Sequence, residues 1–266
     1  MVDFQLLEEN FYLTLHANDN TVLTIPALDL LKPDRMEELI DAYGALIKAR
    51  ERSTTAAFFM SWYAGVCGAM QHMLYRNYTQ LLDLSLSNLT VQLCTGEHYP
   101  FFLFKIEEVA LIKPLDKDRM EERKQLLDCF YREQVTPIIQ TLSQVANIHL
   151  IPLWGQIMNA LYPQLQEELS EASDEAGRTR INEWFQLLTY GMEASAFGLR
   201  KNPFAIKRTY IEHLMIPEQK VFMKAACCLA YCLDHEMGYC YECPRLKEED
   251  RAARRENERN QLQKET

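Results

Sequence analysis

The sequence predicts an α+β fold, predominantly helical, with a small antiparallel sheet and a C-terminal cysteine-rich segment that binds metal. Three observations carry this. Apolar residues recur at helical spacing over most of the chain, and strand-like alternation interrupts them between residues 84 and 106. Five of the eight cysteines lie in "AACCLAYCLDHEMGYCYECPR", residues 225–245. The expected organisation is a helix-rich body over residues 1–220, the cysteine segment at 221–245 packed on it, and a charged tail at 246–266.

Residues 4–16 form a short helix or a strand, and Asn18-Asp19-Asn20 supplies a turn. Pro33 suits the first position of a helix whose apolar face is Met36, Leu39, Ile40, Tyr43, Leu46 and Ile47. Ser53 is expected to cap a second helix running to Tyr75, packed against the first. It contains the most apolar stretch, "AAFFMSWYAGVCGAM" at 56–70. That stretch is shorter than the roughly 18 residues of a membrane span, and Gln71 and His72 follow it, so it reads as a buried helix.

"LDLSLSNLTVQL" then alternates, with its phase slipping at Ser87-Asn88 as in a bulged strand or two short ones. "FFLFKI" at 101–106 is the expected partner strand. Helix returns over 116–145, bent near Pro137, and again from 151, bent near Pro163. A further helix is expected over Thr179–Thr189, after a small, acidic surface loop at 170–178. The chain then extends through Val221 and Phe222 into the cysteines. The terminal "LKEEDRAARRENERNQLQKET" has nearly balanced charge and reads as a solvated helix or frayed tail.

The net charge of −10 argues against nucleic-acid binding, whose footprint is a basic surface. "MVDFQLLEEN" has acids where a signal peptide carries basic residues, so the expected location is cytoplasmic. In a reducing compartment, clustered cysteines point to metal or redox chemistry before disulfides. No G-x-G-x-x-G, P-loop or H-E-x-x-H is present, which leaves bound nicotinamide or flavin without support.

Cys240 and Cys243 have the C-x-x-C spacing that lets two sulfurs converge on one metal centre, and Pro244 ends their turn. The adjacent Cys227 and Cys228 lie upstream, with eleven residues between Cys228 and Cys240. Structural zinc is one reading, although adjacent cysteines reach a single ion awkwardly. A dinuclear iron–sulfur cluster, needing two thiolates on each iron, is another. A vicinal thiol redox pair is a third, and it leaves Cys240 and Cys243 unexplained. Cys67, Cys94 and Cys129 read as small core residues.

An adjacent cysteine pair followed by C-x-x-C-Pro resembles the cluster signature of the siderophore-iron reductases, the FhuF-like ferric iron reductase family. "LWGQIMNAL" at 153–161, "RKNPFAIKR" and "CPRL" are similar in placement, so the likeness covers mainly the C-terminal half. It implies that Cys227, Cys228, Cys240 and Cys243 ligate a [2Fe–2S] cluster. It further implies one-electron reduction of a ferric siderophore and an external electron donor (ferredoxin, flavodoxin or reductase), and it leaves room for peripheral membrane association. This chain departs from the pattern in a loop one residue longer than the family's and in a fifth cysteine, Cys232, inside it. Gly238, able to take a positive φ, is expected to absorb the extra residue.

Arg200, Lys201, Lys207 and Arg208 form a basic stretch in an acidic chain. They are either ordinary surface charge or a face that attracts the anionic ferric complex. His235, inside the loop, is either a solvated histidine or a group that tunes the centre. Trp154 and Trp184 are expected in the core. The alternative to the reductase is a helical interaction protein stapled by structural zinc. An iron–sulfur redox sensor is a further one.

Overall fold

The computed structural model describes residues 2–78, 80–112, 120–234 and 238–265. Its centre is a helix that is apolar on every side, as a helix must be when neighbours enclose it. This is α3 (Arg52–Tyr75), preceded by α1 (Phe4–Phe11) and α2 (Pro33–Ile47). The apolar run at 56–70 is thus interior, and among the described residues no helix is long and apolar enough to cross a membrane. Pro33 opens α2 as expected, and α2 packs on α3. Ser53 is not the cap of α3: Glu51 precedes the helix in extended conformation, and the Ser53 hydroxyl donates to the Glu51 carboxylate at 3.0 Å. The join between these helices is held by Arg52, whose fork donates to both oxygens of Asp41 at 2.8 and 2.6 Å.

Beside these helices lies a sheet of order β1-β5-β4-β2, built from β1 (Leu13–Thr14), β2 (Thr21–Pro26), β4 (Leu89–Thr95) and β5 (Pro100–Ile106). The expected β4–β5 pairing is present and antiparallel, with Val91 opposite Phe104. The sheet as a whole is mixed, because β1 leaves α1 and joins the edge of β5 in parallel through Leu13 and Thr14. The slip at Ser87-Asn88 is a 3₁₀ turn over Leu86–Asn88, following a two-residue strand β3 (Leu81–Leu82) that pairs with β6 (Leu111–Ile112). The Asn88 carboxamide holds that turn, donating to the Asp83 and Glu108 carbonyls and accepting from the Glu108 N–H, each at 2.9 Å.

α4 (Met120–Cys129) and α5 (Thr136–Ala146) are joined by a π-turn over Phe130–Val135, which absorbs the missing N–H of Pro137. Residues 116–119 of the expected helix lie outside the described residues. α6 (Leu150–Glu171) continues past Pro163 and packs along α3. The expected loop at 170–178 is shorter: α6 runs through Glu171, and α7 (Glu175–Gln186) starts earlier, because the Asp174 carboxylate caps it by accepting from the Gly177 N–H at 2.7 Å. Trp154 and Trp184 are buried, as are Cys67 and Cys94. Cys129 is exposed, since it sits on the solvent side of its helix end.

Where α3 meets α6, a buried ionic group spans the two helices. The Glu168 carboxylate shares a hydrogen with His72 Nδ1 at 2.5 Å, and Arg76 Nε stands 2.6 Å from its other oxygen, too misaligned to bond it. The His72 and Glu168 side chains are only 7% and 5% exposed, so neutralising Glu168 breaks a buried polar contact, while Arg76 keeps Glu171 as a partner. Glu168→Gln is expected to cost about 3 kcal/mol, read in a thermal melt as a fall in Tm of roughly 6–10 °C.

Candidate metal centre

The hairpin β7 (Tyr210–Glu212) and β8 (Lys220–Phe222) delivers the chain to the N-terminal half of α6. Residues 225–227 lie directly on that helix. The Asn159 carboxamide accepts from the Ala225 N–H at 2.7 Å and donates to the Ala226 carbonyl at 3.0 Å. Gln156 donates to the Cys227 carbonyl at 3.1 Å. The approach needs Gly155, where a Cβ would fall 2.4 Å from that of Ala226. "LWGQIMNAL" is therefore the seat of the first cysteine pair.

After Cys228 the chain turns back through Leu229, which takes the left-handed conformation at φ 62°. This costs a leucine on the order of 1 kcal/mol and aims its N–H at Cys227 Sγ, 3.4 Å away. Gly238, expected to provide a positive φ, does not; among the described residues Gly198 is the glycine that does. The positive-φ bend falls next to the cysteines, where it sets a backbone N–H against a sulfur. His235 lies outside the described residues.

Cys240 and Cys243 form a tight turn, the Cys243 N–H donating to the Cys240 carbonyl at 3.1 Å. The Arg245 N–H points at Cys243 Sγ from 3.4 Å. The Lys224 N–H donates to the Glu242 carbonyl at 3.0 Å, tying this turn to the irregular segment after β8 that leads to the first pair. The result is a thiol pair across the two segments: Cys243 Sγ is 3.4 Å from Cys227 Sγ. Two ligands on one tetrahedral metal, at about 2.3 Å each, stand about 3.8 Å apart, so the pair is near a single coordination edge. Cys228 is close enough to Cys240 to help raise the Cys240 thiol. Cys243 is buried and Cys240 exposed, so the group faces the surface on one side.

Among the described residues, no group of three or more His, Cys, Asp or Glu side chains is disposed to hold a metal ion as it stands. The donor set nonetheless fits a thiolate-bound dinuclear group: two segments supply two soft ligands each, one cross-segment pair is at coordination spacing, and backbone N–H groups already address two of the sulfurs. Cys232 is held differently. Its carbonyl accepts from the Arg50 N–H at 3.2 Å, beside a β-bridge from Ala49 to Leu233.

Burial pushes the Cys227 thiol up to about 12, with Cys243 and Cys228 adding to it against the Leu229 N–H. Burial also raises Cys240, which Lys224 partly opposes. The Lys224 ammonium, 3.7 Å from Cys240 Sγ, is itself raised: burial works against its charge, but Cys240, Glu242 and Cys228 outweigh it. Metal-free thiols of this kind stay protonated at neutral pH, so loading releases protons and weakens as pH falls.

The basic stretch named from the sequence does not act as one patch. Arg200, Lys201 and Lys207 are exposed, while Arg208 is packed with its guanidinium 4.3 Å over the Tyr162 ring and 4.9 Å over Phe185. Cations that touch the cysteine segment include Arg50, which pairs with Asp234 at 3.4 Å, Lys224, Arg245 and a stripe on α8 (Glu248–Glu265), the helix of the charged tail. Arg251, 4% exposed, donates to the carbonyls of Tyr241, Cys243 and Leu246 at 3.0, 3.0 and 3.1 Å. Arg255 donates to the Tyr241 hydroxyl at 3.1 Å, and Arg259 reaches Glu212 and the Leu214 carbonyl at 2.7 and 2.9 Å. One face of the tail is therefore a clamp on the C-x-x-C turn and the hairpin. The i, i+4, i+8 spacing of these arginines was a legible signal for it. Arg251→Ala is expected to raise amide exchange about tenfold across residues 239–246, measured by hydrogen–deuterium exchange, and to leave α3 unchanged.

No protein-family model matches this chain, and no curated protein matches it in sequence.

Proposed function

We propose that this protein is a cytoplasmic ferric-siderophore reductase whose Cys227, Cys228, Cys240 and Cys243 hold a [2Fe–2S] cluster. The observation that carries the reading is the meeting of one thiol from each cysteine pair, Cys227 and Cys243, at 3.4 Å. When bound, the cluster supplies a one-electron carrier in a class whose potentials span about −700 to +450 mV. Reduction lowers the charge density of ferric iron held by hard anionic oxygens and so loosens it.

The chain's own residues act on the sulfurs and on access to them. The Leu229 and Arg245 N–H groups point at sulfurs, where they would stabilise negative charge on a bound cluster and so raise its potential. Lys224 places a cation beside Cys240 with the same sign of effect. Exposed Cys240 marks the side from which a chelate or an external donor (ferredoxin, flavodoxin or reductase) approaches.

The test is a visible and EPR spectrum of anaerobically purified protein before and after dithionite. Visible absorption that bleaches, with a one-electron signal appearing on reduction, is the expected result. Reoxidation by ferric siderophore, with ferrous iron trapped by a chromogenic chelator, follows. A colourless, EPR-silent protein with one zinc per chain overturns the proposal and favours the structural staple.

A further inference from the structure

A cavity of about 320 Å³ opens directly beside the cysteine centre. Three residues belong to both. Asn159 seats residues 225 and 226, Lys224 stands 3.7 Å from Cys240 Sγ, and Glu242 lies inside the C-x-x-C turn, and all three line the cavity. A ligand bound there sits one side chain away from the thiols.

The walls are aromatic. Tyr162 and Phe222 pack with ring centroids 4.5 Å apart, and Tyr210 adds a third ring from β7. The Tyr162 and Tyr210 hydroxyls bond each other. Arg208, stacked behind Tyr162, braces that ring, and this is the place it takes in the structure rather than a free cationic surface. Lys220 and Lys224 line the cavity against the single carboxylate of Glu242, which is 3.7 Å from Lys224, so the lining carries a net positive charge within an acidic chain. Flat rings with two ammonium groups and phenolic hydroxyls select a flat ring that bears anionic oxygens.

We infer that this cavity, joined to the cysteine centre through Lys224, binds the aryl-oxygen arm of a ferric chelate, of phenolate or catecholate type, and so sets the substrate class. The inference rests on the reductase reading for the iron, but its binding chemistry is tested without electron transfer.

The probe is the gallium(III) complex of 2,3-dihydroxybenzoate, which has the charge and shape of the ferric complex and cannot be reduced under these conditions. Titration calorimetry of the full chain is expected to show it binding at least about tenfold more tightly than the neutral gallium(III) acetohydroxamate complex. Lys220→Gln, remote from the thiols in contact, should weaken the catecholate complex about fivefold and leave the visible spectrum unchanged. Lys32→Gln, at the start of α2, controls for general charge. Equal affinity for the two complexes, or equal weakening by the two lysine variants, overturns the inference. A bleachable visible band without catecholate binding removes the cavity's role and keeps the reductase; catecholate binding to a colourless protein does the reverse.

Discussion

Cys243→Ser protein is expected to purify without visible absorption and with less than about a tenth of the wild-type iron per chain. Cys243 is the most buried of the four candidate ligands: it is 1% exposed, its sulfur meets Cys227 Sγ at 3.4 Å, its N–H closes the turn, and its carbonyl is held by Arg251. A serine oxygen is a harder ligand on a shorter bond and does not replace a thiolate at such a site. Cys240→Ser should lose the centre as well. Cys232→Ser should retain the full spectrum, because the backbone of that residue is tied to the Arg50 segment and not to the C-x-x-C turn. A coloured Cys243→Ser protein beside a colourless Cys232→Ser protein would reassign the ligands.

The second large effect is expected from Gly155→Ala, which adds one methyl group. Its Cβ would lie 2.4 Å from the Ala226 Cβ, well inside van der Waals contact, between a helix and a backbone segment that three hydrogen bonds hold to it. Overpacking of this kind costs about 1–3 kcal/mol. The strain should be relieved by lifting residues 225–227 off α6, which moves Cys227 away from Cys243. The expected result is loss of metal with little change in the far-ultraviolet helical signal. Combining Gly155→Ala with Ala226→Gly removes the facing methyl and should restore metal content. A double variant no better than the single one would show that the two residues are uncoupled.

Much of the fold was legible in the sequence because local patterns report local structure. Pro33 marked a helix start, the all-round apolar character of residues 56–70 marked a buried helix, and alternation marked β4 and β5. The errors have a common origin. Ser53 was a chemically good cap, yet its hydroxyl found Glu51. Gly238 was the residue best able to take a positive φ, but Leu229 occupies that conformation because its N–H is needed at Cys227. In both cases a hydrogen bond to a residue two positions away decided the outcome, a competition between neighbouring groups that residue type alone does not rank.

The sequence by itself determined the helical body, the central buried helix and which thiols stand close along the chain. Periodicity, side-chain chemistry and spacing are properties of neighbouring residues, and they survive without a fold. Only the tertiary structure decided that Gly155, Gln156 and Asn159 seat one cysteine pair, and that Arg251 locks the turn carrying the other. It also decided that Lys224, not the Arg200–Arg208 stretch, stands between the thiols and a cavity. The contacts to α6 join residues more than sixty apart and the others bridge separate turns and elements, and charge and hydrogen bonding act across space rather than along the chain.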